Sequence, residues 1–498
     1  MKSIFKTSNK NNYLYHLQDN EVLFLHPLII FFYEMENKGI NPSEWITSLK
    51  GKSFNIKNLG LFSAKEILYY FDKYNLLKDK NCISYVKDEN LFKRRLTAYD
   101  IENLITCCKE VSFEITKGCD LKCSYCIQGD LYRIHEKDQK VNICVDKAKL
   151  LLKYLCRYWN GGLSSDRIGI KFYGGEIFTN FRAVMDIVAY TKTLEGISGK
   201  FYYYITTNGV LLEKHLDYLI ANNFYISISL DGDKDNNSHR IYSNGKPSFE
   251  KINSNINLIR NNHPTYFEKN VSFQAVLHNQ NSITEIIKYF EENFQKKPLM
   301  TELTRVGLNK ERKSEFEKIY KGIYQNLYHG EDYSLLQEKK FIDLPKTPGS
   351  GIITHYIYNC LLKDPDEKEF TMKNRTPTGT CHPFSKGIFL TTDGKILPCE
   401  RIEHKFALGY INDDVILDFK EIADMYNHYY DKINRLCCSC YNFKSCKKCM
   451  FYCKIEEPDP VCNQYTSQKD FLKRLSDAVE YMEDKPEIYL KHLIELID

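Results

Sequence analysis

The chain has 498 residues, a formal net charge of +4 and an apolar fraction of 43%. This length suffices for two to four domains with hydrophobic cores, and the nearly balanced charge argues against a nucleic-acid partner. We find no signal peptide, and the apolar run at residues 22–33 is interrupted by His26 and Pro27 and is too short to span a membrane. We therefore expect a cytoplasmic protein without a membrane partner, in which the 18 cysteines bind metal more often than they form disulfides.

Residues 1–105 carry no cysteine cluster and are predicted to form a small winged-helix-like domain. Pro27 suits the first turn of a helix, and Ser63 is a typical N-cap residue. The predicted elements are strands at 13–17, 22–25 and 81–87 and helices at 27–39 and 64–74. Alternatively, this region is only a packing extension of the domain that follows.

Residues 106–330 alternate between strand and helix patterns, which predicts a parallel sheet with right-handed crossovers. The predicted strands are 111–116, 168–173, 201–206, 224–230, 271–277 and 300–306. The predicted helices are 145–159, 182–194, 212–222, 248–261 and 282–294. Six strand–helix units are two fewer than a closed eight-stranded barrel contains, so we expect an open, partial (β/α)6 barrel of the α/β class.

Three cysteines, Cys119, Cys123 and Cys126, follow the first predicted strand of this region. They fall on the face where α/β barrels place their chemistry. Three thiolates can hold three corners of an iron–sulfur cube, which leaves the fourth iron open to a reactive small molecule. A structural zinc site or three buried thiols are the alternatives, but zinc takes four ligands and no fourth Cys or His lies close by in the sequence.

The spacing C-x3-C-x2-C after a first strand resembles the signature of the radical SAM enzymes, and the resemblance spans about residues 110–330. It implies the same six-unit fold and a [4Fe–4S] cluster on Cys119, Cys123 and Cys126, with S-adenosylmethionine (SAM) bound to the open iron. In this family one electron from the cluster splits SAM into methionine and a 5′-deoxyadenosyl radical, which abstracts a hydrogen atom from the substrate.

Further segments resemble the SAM-binding motifs of that family. Glycine lets the backbone approach a ligand closely, and the Gly-Gly-Glu segment after the second strand resembles the motif that grips the SAM amino group. Ser229 is a candidate ribose contact, and Arg240 matches a family arginine suited to the SAM carboxylate. The candidate cofactor-binding residues are Gly174, Gly175, Glu176, Thr207, Asn208, Ser229 and Arg240. Each polar residue could instead be an ordinary loop cap.

Residues 331–378 are predicted to form an irregular bridge, residues 379–465 a cysteine-rich module, and residues 466–498 a helical tail. The turn at Asp393-Gly394 is predicted to join two short strands in a hairpin. The module contains Cys381-x12-Gly394-x4-Cys399, then Cys437-x2-Cys440-x5-Cys446 and finally Cys462, a pattern that closely resembles the SPASM domain.

The SPASM resemblance implies two auxiliary [4Fe–4S] clusters. The first is assigned to Cys381, Cys399 and either Cys449 or Cys453, because the family spacing after Cys446 would land on Met450. The second is assigned to Cys437, Cys440, Cys446 and Cys462. The first cluster either takes a fourth ligand such as Cys360 or keeps an open iron. A zinc-ribbon-like module is the alternative.

Together the two resemblances imply a radical SAM–SPASM maturase that modifies a ribosomally made precursor peptide, through a thioether or another crosslink. The N-terminal region would recognise the leader of that peptide by adding it as a strand to a sheet edge. An electron donor such as flavodoxin or ferredoxin is expected. The enzymatic alternative is oxidation of Cys or Ser to formylglycine, as in the anaerobic sulfatase maturases, although that family usually lacks a long N-terminal domain. A scaffold or electron-transfer protein with a degenerate core is the non-enzymatic alternative.

Overall fold

The computed structural model describes residues 4–16, 21–80, 92–132, 141–159, 167–197, 201–305, 307–323, 376–443, 446, 448–455, 459–484 and 486. The strand predicted at 81–87 lies outside the described residues, as do Cys360 and nearly all of the predicted bridge. None of the helices in the described ranges combines the length and the apolar character that a membrane span requires.

The N-terminal region contains a three-stranded antiparallel sheet that packs against helices. Its elements are β1 (Ile4–Lys6), β2 (Asn12–His16), β3 (Glu21–Leu25), α1 (Pro27–Asn37), α2 (Pro42–Thr47), β4 (Ser53–Ile56), β5 (Gly60–Ser63) and α3 (Ala64–Asp79). The predicted strand pair and both predicted helices are confirmed, whereas β1, α2 and the β4–β5 hairpin were not predicted. Leu14, Phe32 and Ile67 are almost fully buried in the core between sheet and helices.

Helix α3 begins where the sequence predicts because its first turn is capped in both directions. The Ser63 hydroxyl accepts a hydrogen bond from the backbone N–H of Glu66, and the Glu66 carboxylate accepts one from the backbone N–H of Ser63 at 2.8 Å. This reciprocal arrangement satisfies two backbone donors that the helix itself leaves unpaired.

One ten-stranded sheet runs through the rest of the molecule, in the order β11-β10-β9-β8-β7-β6-β12-β13-β14-β15. Its strands are β6 (Glu110–Thr116), β7 (Ile168–Gly174), β8 (Phe201–Thr207), β9 (Tyr225–Ser229), β10 (Val271–Leu277), β11 (Leu299–Glu302), β12 (Ile388–Leu390), β13 (Lys395–Leu397), β14 (Gly409–Ile411) and β15 (Val415–Leu417). Strands β6 to β11 are parallel, as the sequence predicts. Strand β11 is shorter than the predicted strand.

The cysteine-rich segment extends this sheet, which the sequence did not predict. Strand β12 pairs in parallel with β6, and β13 to β15 continue as antiparallel strands. The predicted hairpin at Asp393-Gly394 joins β12 and β13. Gly394 has a φ of +89°, and a Cβ there would lie 2.9 Å from the carbonyl oxygen of Ile411, so the turn requires glycine.

Helices accompany the parallel strands, and all but the last of them contribute apolar side chains to the main core, whereas Phe316 of the last packs in a separate small cluster. They are α4 (Ala98–Thr106), α5 (Val145–Trp159), α6 (Phe181–Thr191), α7 (Leu216–Ala221), α8 (Phe249–Asn262), α9 (Pro264–Asn270), α10 (Ile283–Phe294) and α11 (Lys313–Ile319). The helix predicted at 212–222 is instead a 3-10 turn at Leu212–His215 followed by α7. Helix α9 was not predicted.

Two helices complete the described chain, α12 (Phe419–Ser439) and α13 (Gln468–Asp484). The second confirms the predicted tail helix, and it docks on the N-terminal sheet. The Glu483 carboxylate accepts hydrogen bonds from Tyr13 at 2.6 Å and from Asn11 at 2.9 Å, and the Phe471 ring lies 4.8 Å from that of Tyr15. Helix α13 therefore connects the N-terminal region to the cysteine-rich segment.

Candidate active site

The cysteine loop, residues 117–126, leaves the carboxyl end of β6 and is held along its outer edge by the segment that follows β9. The backbone N–H of Lys122 donates to the carbonyl of Ile241 at 2.7 Å, and that of Ser124 donates to the carbonyl of His239 at 3.1 Å. These bonds form a short antiparallel pairing, so the path of the loop is set by the segment after β9 as well as by the loop itself.

The two glycines after β7 contact the backbone of the cysteine loop. A Cβ on Gly174 would lie 2.3 Å from the carbonyl oxygen of Thr116, and one on Gly175 would lie 2.3 Å from that of Gly118. The backbone N–H of Gly175 donates to Thr116 at 2.8 Å. The sequence predicts a close approach of these glycines to a ligand, and the structure shows that the loop itself already requires them.

The Glu176 side chain is buried where β7 and β8 end. Its carboxylate accepts hydrogen bonds from the Thr207 hydroxyl at 2.9 Å, from the Asn208 backbone N–H at 2.8 Å and from the Phe178 backbone N–H at 3.3 Å. Burial raises the pKa of Glu176 to about 7. All three groups that donate hydrogen bonds to Glu176 are neutral. A cation placed beside this carboxyl would therefore stabilise its ionised form.

Asn208 connects the end of β8 to the first cysteine of the loop. Its side-chain amide donates to the Asp120 carboxylate at 2.7 Å and points toward the Cys119 sulfur at 3.8 Å. The backbone N–H of Leu121 also donates to that sulfur at 3.4 Å. Burial raises the pKa of Cys119 to about 12, so metal binding at this thiol would have to displace its proton.

Behind the loop, the Asp231 carboxylate joins residues from three segments. It accepts hydrogen bonds from the Arg240 guanidinium at 3.0 and 3.1 Å, from the Tyr125 hydroxyl and from the Val276 backbone N–H at 2.9 Å, and His278 lies 3.7 Å away. All four side chains are buried. The guanidinium of Arg240 is thus already engaged by an acidic side chain that the sequence did not assign.

The Asp231–Arg240 pair places a buried positive charge beside the cysteine loop. Burial raises the pKa of Cys123 to about 11 and also raises that of Cys126, while the charge of Arg240 acts in the opposite direction on both. Burial also works to raise the pKa of Asp231, but Arg240 and His278 outweigh it and hold this pKa well below its usual range. Arg240 therefore offsets only part of the effect of burial, and metal binding would have to displace the protons of these thiols as well.

A second polar chain holds the exposed side of the loop. The Ser124 hydroxyl lies 2.5 Å from Nδ1 of His239, and Nε2 of His239 lies 2.9 Å from the side-chain oxygen of Asn279. Because that oxygen can only accept, His239 carries its proton on Nε2.

Sequence reasoning missed Asp231, Tyr125 and His239. One signal was available for Asp231, since it comes two residues after β9 and next to the buried Leu230, where a carboxylate needs a partner. Ser229, the predicted ribose contact, is the last residue of β9 and is half-buried.

Eight cysteines of the cysteine-rich segment fall into two groups. In the first cysteine group, Cys449 interacts electrostatically with both Cys399 and Cys381. The second cysteine group lines a shared cavity that is partly open to solvent. Its members are Cys437, Cys440, Cys446, Cys453 and Cys462. The structure therefore separates Cys449 from Cys453, two positions between which the sequence could not choose.

One residue of β7 interacts electrostatically with both the cysteine loop and the residue after Cys399. The half-buried Tyr173 has its pKa raised to about 12, mainly by loss of contact with water, with contributions from the charges of Glu400 and Cys126. Glu400 directly follows Cys399. Across the sheet, the Glu114 carboxylate accepts hydrogen bonds from the backbone N–H and hydroxyl of Thr392 at 2.9 and 3.1 Å, which fixes the cysteine-rich segment to β6.

The residues of the loop fit an iron–sulfur cluster in their chemistry. Three thiols with N–H donors and a cation near their sulfurs suit thiolate ligation, and one carboxylate oxygen of Asp120 is buried without a hydrogen bond from the described residues. Within those residues, no three His, Cys, Asp or Glu side chains converge on a single metal ion. In a cubane each cysteine binds a different iron, so its ligands are spread apart.

Comparison with known proteins identifies the central part of the chain. Residues 113–292 match the family model of the Radical SAM superfamily. The chain contains a radical SAM domain. Members of this superfamily use a [4Fe–4S] cluster and SAM, as the cysteine spacing implied.

The radical SAM chain is similar to sulfatase-maturating enzymes. It is 23% identical over 352 residues to the cysteine-type anaerobic sulfatase-maturating enzyme of Clostridium novyi (strain NT), a match covering 68% of this chain and 83% of that enzyme. It is 26% identical over 151 residues to the serine-type enzyme of Bacteroides thetaiotaomicron, covering 28% and 34%. A solved structure of native anSMEcpe with bound AdoMet and Cp18Cys peptide is 18% identical and covers 78% of this chain and 98% of its own, with a TM-score of 0.49.

The family match and the two sequence relatives support a radical SAM enzyme, and the two relatives support the alternative function, oxidation of Cys or Ser, better than crosslink formation, which the sequence favoured. The resemblance to the SPASM domain and the number of auxiliary clusters stay predictions.

Replacing Asp231 by Asn should destabilise the fold strongly. The Asp231→Asn change leaves the charge of Arg240 buried without its counter-ion, and we expect a loss of about 3–5 kcal/mol in the free energy of unfolding, measured by chemical denaturation. The double variant Asp231→Asn/Arg240→Met should regain part of that loss. As a control, Glu317→Gln breaks the exposed Arg305–Glu317 pair and should cost less than about 1 kcal/mol. If Asp231→Asn and Glu317→Gln lose the same free energy of unfolding, burial does not make the unpaired charge of Arg240 costly, and the prediction is wrong.

The stability of the iron-free chain should fall as pH rises through about 7 because of Glu176. The pKa of Glu176 is raised from 4.5 to about 7 in the folded chain. The protonated side chain therefore contributes fully to the free energy of unfolding below about pH 4.5, and this contribution is lost as the folded carboxyl ionises. The free energy of unfolding is measured by urea titration at each pH. Between pH 5 and 8, this free energy should fall by about 2 kcal/mol less in Glu176→Ala than in the wild type. Glu250→Ala, at an exposed carboxylate, should keep the wild-type slope, and an unchanged slope in Glu176→Ala would refute the assignment.

Proposed function

We propose that this radical SAM enzyme oxidises a cysteine or serine side chain of a peptide substrate to formylglycine. The observation that carries the proposal is the sequence similarity to the cysteine-type sulfatase-maturating enzyme, which extends over 83% of that relative and so reaches beyond the radical SAM domain alone. The separate cysteine groups outside the loop support it, because a two-electron oxidation needs an acceptor for the second electron.

Three residues, Cys119, Cys123 and Cys126, would hold the cluster that supplies the electron for SAM cleavage. Glu176 would accept hydrogen bonds from the SAM amino group, whose positive charge offsets the cost of a buried carboxylate. Asn208 would orient Cys119, and Thr207 would orient Glu176.

The remaining candidate residues have supporting roles in this proposal. Gly174 and Gly175 would keep the cysteine loop against β7. Ser229 would contact the ribose. Arg240 would reach the SAM carboxylate with the N–H donors that Asp231 does not use, since a guanidinium has five.

The two cysteine groups would hold auxiliary [4Fe–4S] clusters. Cys381, Cys399 and Cys449 form the proposed set for the first cluster. The proposed ligands of the second are Cys437, Cys440, Cys446 and Cys462. Glu400 interacts electrostatically with Tyr173 of β7, and its carboxylate would be able to take the proton of a peptide side chain held beside that ring.

The test is anaerobic incubation of the iron-loaded enzyme with SAM, dithionite and a cysteine-containing sulfatase peptide, followed by mass spectrometry. We expect 5′-deoxyadenosine together with a peptide whose mass corresponds to formylglycine. Cys123→Ala should abolish both products, whereas Cys156→Ala, which removes a half-buried thiol of α5, should retain them. SAM cleavage without any change in the peptide would overturn the proposal.

A crosslinking peptide maturase is the second candidate, and the N-terminal region favours it. Strand β3 forms one edge of its sheet, with no further strand paired to it among the described residues. Phe24 on β3 is 59% exposed, and Leu68 and Tyr69 on α3 are also exposed. An open edge that carries an exposed aromatic side chain suits an added peptide strand, so this winged-helix-like region would recognise a leader.

Replacing Phe24 should reveal a leader site. If a short peptide encoded beside the gene binds at β3, Phe24→Asp should raise its Kd about tenfold in fluorescence anisotropy, because an exposed aromatic anchor contributes much of such an interface. Tyr99→Asp, at an equally exposed ring on α4, is the matched control and should bind as the wild type does. Equal Kd values for wild type and Phe24→Asp would argue against this candidate.

A further inference from the structure

The second cysteine group has one thiol more than a [4Fe–4S] cluster requires. Such a cluster takes four cysteine ligands, and five cysteines line the cavity. The extra member is Cys453, because the other four are the proposed ligands and Cys449 lies with the first cysteine group.

The backbone places Cys453 directly opposite Cys462. Lys454 and Val461 exchange two backbone hydrogen bonds, at 3.0 and 2.9 Å, as an isolated antiparallel bridge. In an antiparallel pair the neighbouring positions form a non-hydrogen-bonded pair, whose side chains approach most closely. Those positions are Cys453 and Cys462, so their side chains lie opposite each other on the same face of the bridge.

We propose that Cys453 is not a ligand of the second auxiliary cluster but donates an S–H hydrogen bond to the ligand sulfur of Cys462, and so raises the reduction potential of that cluster. The inference rests on the proposed function, in that it requires an auxiliary cluster in this cavity. Cys453 is buried, with 8% of its surface exposed, which keeps water from competing for the sulfur.

The direction of the effect follows from the chemistry of the ligand. Hydrogen bonds to the sulfurs are among the factors that set the potential of an iron–sulfur cluster. A thiolate that accepts a hydrogen bond carries less negative charge toward the iron, so the reduced cluster is stabilised relative to the oxidised one. Lys448 lines the same cavity and acts in the same direction.

The test compares four variants of the iron-loaded, full-length enzyme by iron content and by redox titration followed with electron paramagnetic resonance. Cys453→Ala should keep the wild-type iron content, while at a fixed potential its ratio of reduced to oxidised second cluster falls about tenfold, a shift of about 59 mV for one electron. Cys453→Ser keeps a donor and should restore most of the potential. Cys462→Ala should lose iron, and Cys438→Ala, at a buried thiol next to Cys437, should change neither quantity.

Two results would overturn the proposal. If Cys453→Ala loses as much iron as Cys462→Ala, Cys453 is a ligand. If Cys453→Ala keeps both its iron and its potential, the hydrogen bond has no influence on the cluster. A wild-type enzyme that binds iron only at the cysteine loop would instead refute the auxiliary clusters of the proposed function, and the wild-type measurement alone reveals that case.

Discussion

The buried carboxylate of Asp231 is the interaction on which the geometry of the cysteine loop depends. It meets a guanidinium, a phenol and a backbone N–H from three different segments. A buried ion pair adds little net stability by itself, but losing one partner leaves an uncompensated charge. Any other arrangement of these segments would leave a buried charge without its partner and would therefore be less stable. Tyr125 lies between Cys123 and Cys126 in the sequence, so the same penalty keeps two of the three thiols in place.

Parallel strands explain why the remaining polar groups meet. The cysteine loop, Glu176 and Asn208 follow β6, β7 and β8, which are neighbours in the sheet, and their carboxyl ends lie along one edge. Glu176 and Asn208 then bind each other and the loop. The pairing of β12 with β6 joins the cysteine-rich segment to the same sheet, and Thr392 after β12 binds the Glu114 carboxylate of β6.

The sequence predicted what local patterns encode. Strands β6 to β10 and helices α5 and α10 have strong periodicity, and the three loop cysteines are close in sequence. The break at Leu212–His215 has no strong local signal, and neither do the short strands β1, β4 and β5. The pairing of β12 with β6 and the contact of Asp231 with Arg240 depend on tertiary structure, which a periodicity cannot show. For the same reason the sequence could not decide between Cys449 and Cys453 as a ligand of the first cluster. Only the folded chain shows that these two thiols belong to different cysteine groups.

Both candidate reactions begin with the same hydrogen abstraction, so the radical site does not distinguish them. What differs is how the peptide is held and where the second electron goes. Helix α13 packs on the N-terminal sheet through Phe471 and Glu483, and its core also includes Phe443 of the cysteine-rich segment. A peptide bound at β3 would therefore enter from a region fixed to the second cysteine group, whereas a peptide that needs only a short recognition sequence would not use that region. The contribution of the N-terminal region to binding is thus the property that separates oxidation of a single side chain from crosslinking along a longer peptide.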